Sequence, residues 1–150
     1  MANTFSQIYL HFVFSTKCRE PFINQEIEDR VWAYLGGIAR AHKFTAIQVG
    51  GMEDHAHVLT GSPTTLSPSE IARYLKGDSS KWIHEEFPHL NEFAWQDGYG
   101  VFSVSKSALA EVVEYIKNQR EHHRSRSFED EYRAILEKHA IDFDELYLLG

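Results

Sequence analysis

Phe44-Thr45-Ala46-Ile47-Gln48-Val49-Gly50-Gly51-Met52-Glu53-Asp54-His55-Ala56-His57-Val58-Leu59-Thr60 contains two extended segments around a glycine pair. Phe44 to Val49 is a strand by its β-branched and aromatic content. His55 to Thr60 is another, antiparallel to the first if Gly50-Gly51 closes a hairpin. Upstream, Asn24 caps a helix from Gln25 to about His42, in which Ile27, Val31, Tyr34, Leu35 and Ile38 recur at helical spacing. Before that helix, Ile8 to Phe14 places Ile8, Leu10, Phe12 and Phe14 on one face of a strand. Downstream, the loop Ser62 to Pro68 leads into Ser67-Pro68-Ser69-Glu70, which has capping-box spacing with proline at the first helical position and predicts a helix over Pro68 to about Ile83. Tyr99 to Val104 reads as a fourth strand. Ser107 caps a third helix through about His123, and a short acidic helix covers Glu129 to Lys138. The order β-α-β-β-α-β-α-α predicts a ferredoxin-like α+β fold, a central antiparallel sheet with helices on one face and an added C-terminal helix.

A length of 150 residues with 43% hydrophobic content suits one packed domain spanning 1–150, and no repeat or linker interrupts it. The N-terminal run Met1-Ala2-Asn3-Thr4-Phe5 shows no basic stretch leading into an apolar block, and no long apolar run follows, so a cytoplasmic protein without a membrane partner is expected. The lone Cys18, read as a half-buried strand-end residue, excludes an internal disulfide and a cysteine-rich metal site. The net charge of -7 speaks against nucleic acid at first sight. Its distribution softens this, because seven acids against Arg133 and Lys138 in residues 127–150 account for -5. Lys117 to Arg126 is locally basic, with His122 and His123 gaining charge as pH falls.

Chemistry concentrates in two places. On a strand, residues two apart share a face, so His55 and His57 converge on one ion while Ala56 faces the core and Asp54 is placed to orient an imidazole. Taken alone the pair reads more readily as structural: with nine histidines in the chain, a His-x-His arises by chance in roughly one of two such sequences. On the third helix, Leu109, Val112, Val113 and Ile116 form the buried stripe, and Tyr115, Gln119 and His122 stack along its flank. A tyrosine there also serves simply to complete a core with its hydroxyl in water.

Several ordered segments carry a resemblance across nearly the whole chain. They are Tyr9-Leu10-His11-Phe12-Val13-Phe14-Ser15-Thr16-Lys17, Gly50 to Leu59, Leu75-Lys76-Gly77-Asp78-Ser79-Ser80-Lys81-Trp82, Trp95 to Ser105, Tyr115 to His123, and Phe128-Glu129-Asp130-Glu131-Tyr132. Together they resemble the IS200/IS605 family of transposases, the HUH single-tyrosine (Y1) type. The resemblance implies Tyr115 as nucleophile and His55, His57 and Gln119 as ligands of a divalent metal, Mg²⁺ or Mn²⁺, although two imidazoles and an amide favour Mn²⁺ or Zn²⁺ on affinity alone. It implies cleavage and rejoining of single-stranded DNA at hairpin-bearing ends through a 5′-phosphotyrosine, with His122 as a helper for the phenol proton. It also implies a homodimer with sites shared between subunits, for which Val101 to Val104 is a strand suited to pairing at an edge.

Lys76, Lys81, Lys106, Lys117, Arg120 and Arg124 are the phosphate-contact candidates, and Trp82, Phe93 and Trp95 either stack bases or fill the core. Ala56 is smaller than the family's usual middle residue, which touches packing rather than ligation. The same residues fit a domesticated HUH endonuclease acting on repeated hairpin DNA. A third reading is an inert ferredoxin-like nucleic-acid-binding module with structural histidines.

Overall fold

A computed structural model of the chain describes residues 3–145 and 148, so Met1 and Ala2 of the N-terminal run lie outside it. The alternation of Tyr9–Ser15 builds strand β1: Phe12 and Phe14 point to one face, His11 and Val13 to the other. Asn24 caps as expected, its Oδ1 accepting from the amides of Glu26 and Ile27 at 2.9 and 3.2 Å. The regular helix α1 begins only at Glu28 and runs to Ala41. Strands β2 (Thr45–Met52) and β3 (His55–Gly61) form the hairpin, and β4 (Gly100–Val104) lies beyond β1. The sheet order is β2-β3-β1-β4 with every neighbouring pair antiparallel, which is the ferredoxin-like arrangement.

The hairpin differs from the sequence reading at its tip. Gly50 and Gly51 lie inside β2, paired with His57 and Ala56, and Glu53-Asp54 makes the turn. The glycines are there for close approach. A Cβ on Gly50 would stand 2.8 Å from the Ile116 carbonyl oxygen, and one on Gly51 would run into the His55 carbonyl. The turn is anchored from outside, since Ile23 N donates to Glu53 O at 3.0 Å and Thr16 N to Asp54 O at 2.8 Å.

Helix α2 (Pro68–Glu86) starts with the full capping box: Ser67 Oγ accepts from Glu70 N at 3.1 Å and Glu70 Oε1 from Ser67 N at 2.9 Å. It packs with α1 over Phe12, Phe14, Ala56 and Val58 to form the main core. Phe93 and Trp95 belong to that core, Trp95 donating to Ser79 Oγ at 2.9 Å, and Trp82 stacks on Tyr34 with ring centroids 4.4 Å apart.

The opposite face of the sheet carries His55, His57, Val13 and Phe102, and the C-terminal helices cover it. The expected single third helix is interrupted: Lys106–Ala108 is a 3₁₀ turn containing Ser107, α3 spans Leu109–Lys117, and Asn118 (φ -99, ψ 28) separates it from α4 (Gln119–His122). Of the expected stripe only Ile116 is fully buried, because α3 meets the sheet at the small-residue surface of Gly50, and Leu109, Val112 and Val113 are half-buried. Helix α5 (Phe128–Lys138), capped by Ser127 Oγ accepting from Asp130 N, closes a second core of Val13, Phe102, Phe128, Tyr132, Leu136 and Leu148. Cys18 is exposed rather than half-buried, because the chain leaves β1 through a tight turn in which Cys18 has φ 57 and ψ 18. Among the described residues no helix is long and apolar enough to cross a membrane.

Candidate active site

Strand alternation turns both hairpin histidines toward α3–α5, where each is fully buried. Asp54, in the hairpin turn, holds His55 Nδ1 at 2.8 Å, so in the neutral imidazole the proton sits on Nδ1 and the Nε2 lone pair points inward. His57 Nδ1 lies 2.8 Å from Nε2 of His11, its near neighbour on β1. Gln119, just past the break at Asn118, places Oε1 2.8 Å from His55 Nε2. Its amide nitrogen donates to Glu131 Oε2 at 3.1 Å and to the Tyr115 carbonyl at 3.4 Å, which fixes the orientation of the amide. The Tyr115 ring meets His57 edge-on at 5.7 Å between centroids, and His122 lies 4.7 Å from Tyr115. The structure therefore brings Tyr115, Gln119 and His122 to the His55–His57 face within one chain.

The sequence reading missed three participants in the site. Glu131, 2% exposed, accepts the Tyr115 hydroxyl on Oε2, while its Oε1 lies 3.2 Å from His57 Nε2 and 3.4 Å from His55 Nε2. His123 Nε2 stands 3.1 Å from Gln119 Oε1, and His11 backs His57. The signal for Glu131 existed. Phe128, Tyr132 and Leu136 form the buried stripe of α5 at four-residue spacing, and an acid three residues after Phe128 falls on that same face.

The electrostatics follow from burial. Desolvation, then the neighbouring His57, lowers the His11 pKa to about 3. Desolvation also holds His57 below the ordinary histidine value, against the opposing pull of Glu131. Burial works to raise the Glu131 pKa, but His57 and hydrogen bonds from His123 and His57 reverse this and keep it a carboxylate. The Tyr115 phenol is pushed well up, by burial first and by the Glu131 charge and hydrogen bond second.

The donor chemistry fits a cation. His55 Nε2 faces two oxygens, Gln119 Oε1 and Glu131 Oε1, and lone pairs converging at these distances call for a shared proton or a metal ion between them. The ligand atoms of His55, His57 and Glu131 all lie within 4.8 Å of one another.

Of the basic candidates, Arg120 is engaged by Glu28 at 2.6 Å and Glu53 at 3.2 Å, tying α4 to α1 and the hairpin turn. Lys76 Nζ donates to the Gly98 carbonyl at 2.8 Å. Lys81, Lys106, Lys117 and Arg124 are exposed, the last two beside Glu114 and Glu121.

The sequence profile described as transposase IS200 like matches residues 4–119. The chain belongs to this transposase family. It is 31% identical over 126 residues to the transposase for insertion sequence element IS200 of Salmonella typhimurium, covering 81% of this chain and 82% of that protein. It is 25% identical over 120 residues to the ISDra2 transposase TnpA of Deinococcus radiodurans, covering 77% and 86%. A crystal structure of a candidate transposase from Deinococcus radiodurans superposes with a TM-score of 0.67 at 26% identity over 79% of this chain and 95% of that one. A REP-associated tyrosine transposase bound to a REP hairpin shares the fold, with a TM-score of 0.60 at 14% identity over 82% and 73%. The IS200-like match ends at Gln119, so α5 and its Glu131 lie beyond it.

Proposed function

We propose that this IS200-like protein is a cytoplasmic, metal-dependent HUH transposase of one domain (residues 1–150) that cleaves and rejoins single-stranded DNA at hairpin-bearing ends. The observation that carries the reading is the convergence of Tyr115 and Gln119 on His55 and His57 from elements far apart in the chain. His55, His57 and Gln119 would hold the ion. The chemistry that Mg²⁺ or Mn²⁺ supplies when bound is neutralisation of charge on the nonbridging phosphate oxygens. Tyr115 Oη attacks the scissile phosphorus, the 3′-oxygen leaves, and the 5′-phosphotyrosine conserves the bond energy for a later joining step without ATP. The phenol proton is held toward Glu131, and His122, whose ring lies against that of Tyr115 with centroids 4.7 Å apart, is the proposed helper in removing it. Exposed Lys81, Lys106, Lys117 and Arg124 are the phosphate-contact residues best placed to act, with Arg120 and Lys76 serving first to brace the fold.

The partner is hairpin-bearing single-stranded DNA, a reading supported by the REP hairpin bound to the structural neighbour. The second partner is another copy of the chain. β4 is an edge strand suited to continuing the sheet across a two-fold axis. Since α3 docks on the histidines of its own chain here, sites shared between subunits would require the two copies to exchange that helix.

The deciding experiment mixes the protein, Mn²⁺ and a labelled single strand carrying a hairpin end of its own element, and looks for a covalent band. An adduct that disappears in Tyr115→Phe supports the proposal. An adduct that survives Tyr115→Phe, or none with the native chain, sinks it and favours the inert binding module. Mixing Tyr115→Phe with His55→Ala subunits tests sharing, because recovered cleavage requires a site built from two chains. The domesticated endonuclease uses the same residues, and separates from a transposase by cutting scattered hairpin repeats without joining element ends.

A further inference from the structure

Glu131 is an enclosed carboxylate whose recorded ion pairs, among the described residues, are all with imidazoles: His55, His57 and His123. Burying a carboxylate is costly unless it is paired and hydrogen-bonded, and on the apolar face of α5, between Phe128 and Tyr132, Glu131 is met by a phenol, an amide and three imidazoles that converge on it from the site. Its two oxygens do different things. Oε2 accepts from the Tyr115 hydroxyl and the Gln119 amide. Oε1 lies 3.2 Å from His57 Nε2 and 3.4 Å from His55 Nε2. Neighbouring ligand atoms around an ion with bonds of about 2.0–2.2 Å are themselves about 3 Å apart, so this oxygen occupies a ligand position relative to both imidazoles.

Charge points the same way. Two imidazoles and an amide are all neutral, whereas small hard divalent ions prefer oxygen and negative charge. A buried site gains most from a charged ligand, since little water is left to share the ion's charge.

We infer that Glu131 adds a charged ligand to His55, His57 and Gln119 around the divalent cation, and that its second oxygen orients Tyr115 and Gln119 at that site. The ligand set of this chain thus extends onto α5, past the residues matched by the family. The inference rests on the metal-dependent reading of the site, and its test separates the two.

Mn²⁺ is titrated calorimetrically, without DNA, into the full chain and into Glu131→Gln, Glu131→Asp and His55→Ala, with folding checked by circular dichroism. Glu131→Gln is expected to weaken Mn²⁺ binding by at least about tenfold, with Glu131→Asp, which keeps the charge, between it and the native chain. If folded Glu131→Gln binds Mn²⁺ within about twofold of the native chain while His55→Ala does not, Glu131 is not a ligand and the inference falls alone. If His55→Ala also binds unchanged, the metal-dependent reading falls with it. Should Glu131→Gln not fold, crystals of the native chain soaked in MnCl₂ decide. An anomalous peak within about 2.2 Å of a Glu131 oxygen supports the assignment, and a peak on the histidines with Glu131 beyond about 3 Å overturns it. No peak at the histidines removes both.

Discussion

Replacing Gly50 by alanine tests how tightly the Tyr115 helix must sit on the sheet. The new Cβ would lie 2.8 Å from the Ile116 carbonyl oxygen and 3.0 Å from Ile116 Cγ2, where ordinary contact begins at 3.4 Å, so α3 must retreat by about 0.6 Å. Over-packing of this kind costs about 1–3 kcal/mol. Ile116 follows Tyr115 directly and precedes Gln119 by three residues, so the retreat carries the phenol and amide away from His57 and His55. Since a displacement of about 1 Å costs up to about a hundredfold in rate, roughly tenfold slower adduct formation is expected. Gly36→Ala is the control: it makes the same chemical change inside α1, with nothing within 4 Å of the new Cβ, and should stabilise by about 0.5–1 kcal/mol. Urea unfolding and timed adduct formation on both variants read the two quantities. A Gly50→Ala protein as stable and as fast as the native chain would refute the docking argument.

Three further outcomes follow from the geometry. Ser127→Ala removes the cap of α5 and should cost about 1 kcal/mol in urea unfolding, with no loss of α2 or α1 signal. Phe128→Ala empties the position stacked on His55 at 4.4 Å and on Tyr132, and should cost about 3–5 kcal/mol while opening α5 to limited proteolysis at lower urea than the rest of the chain. Hydrogen bonds from Ser67 hold the Glu70 carboxyl below its usual value, so its capping contribution is complete above about pH 4.5 and is lost as pH falls through the lowered value. The stability gap between the native chain and Glu70→Gln should therefore be present at pH 7 and shrink in acid, and a gap that grows in acid would contradict the sign.

Local signals made most of the fold legible. Ser67 and Glu70 close a box within one turn of chain and Asn24 caps its helix, so these starts were decided by neighbours in sequence, whereas the Ser127 cap of α5 went unread. The failures came where distant contacts overrule local preference. Gly50-Gly51 reads as a turn, yet it lies inside β2, where Gly50 leaves room for the Ile116 backbone of α3 and Gly51 for the His55 carbonyl of β3. The stripe Leu109, Val112, Val113 and Ile116 reads as buried, yet α3 meets the sheet through one end and leaves three of the four partly open. Asn118 breaks a helix whose periodicity runs on unbroken, and Gln119 turns inward past the break to reach His55.

From residue types and their order alone come the ferredoxin-like α+β plan and the family resemblance that the IS200-like match bears out, and it is the resemblance that implies His55, His57, Tyr115 and Gln119 as the chemical set. Spacings of two, three and four residues fix only which side chains share a face, because strand and helix geometry over such spans is set by the backbone. Only the tertiary structure decided that Tyr115 and Gln119 dock on the histidines of their own chain, that Arg120 braces α4 rather than standing free, and that Glu131 enters the site at all. The physical reason is that α5 reaches β3 by packing Phe128 and Tyr132 over the sheet. A contact between Glu131 and His57, 74 residues apart, is set by how two surfaces fit and by no local period.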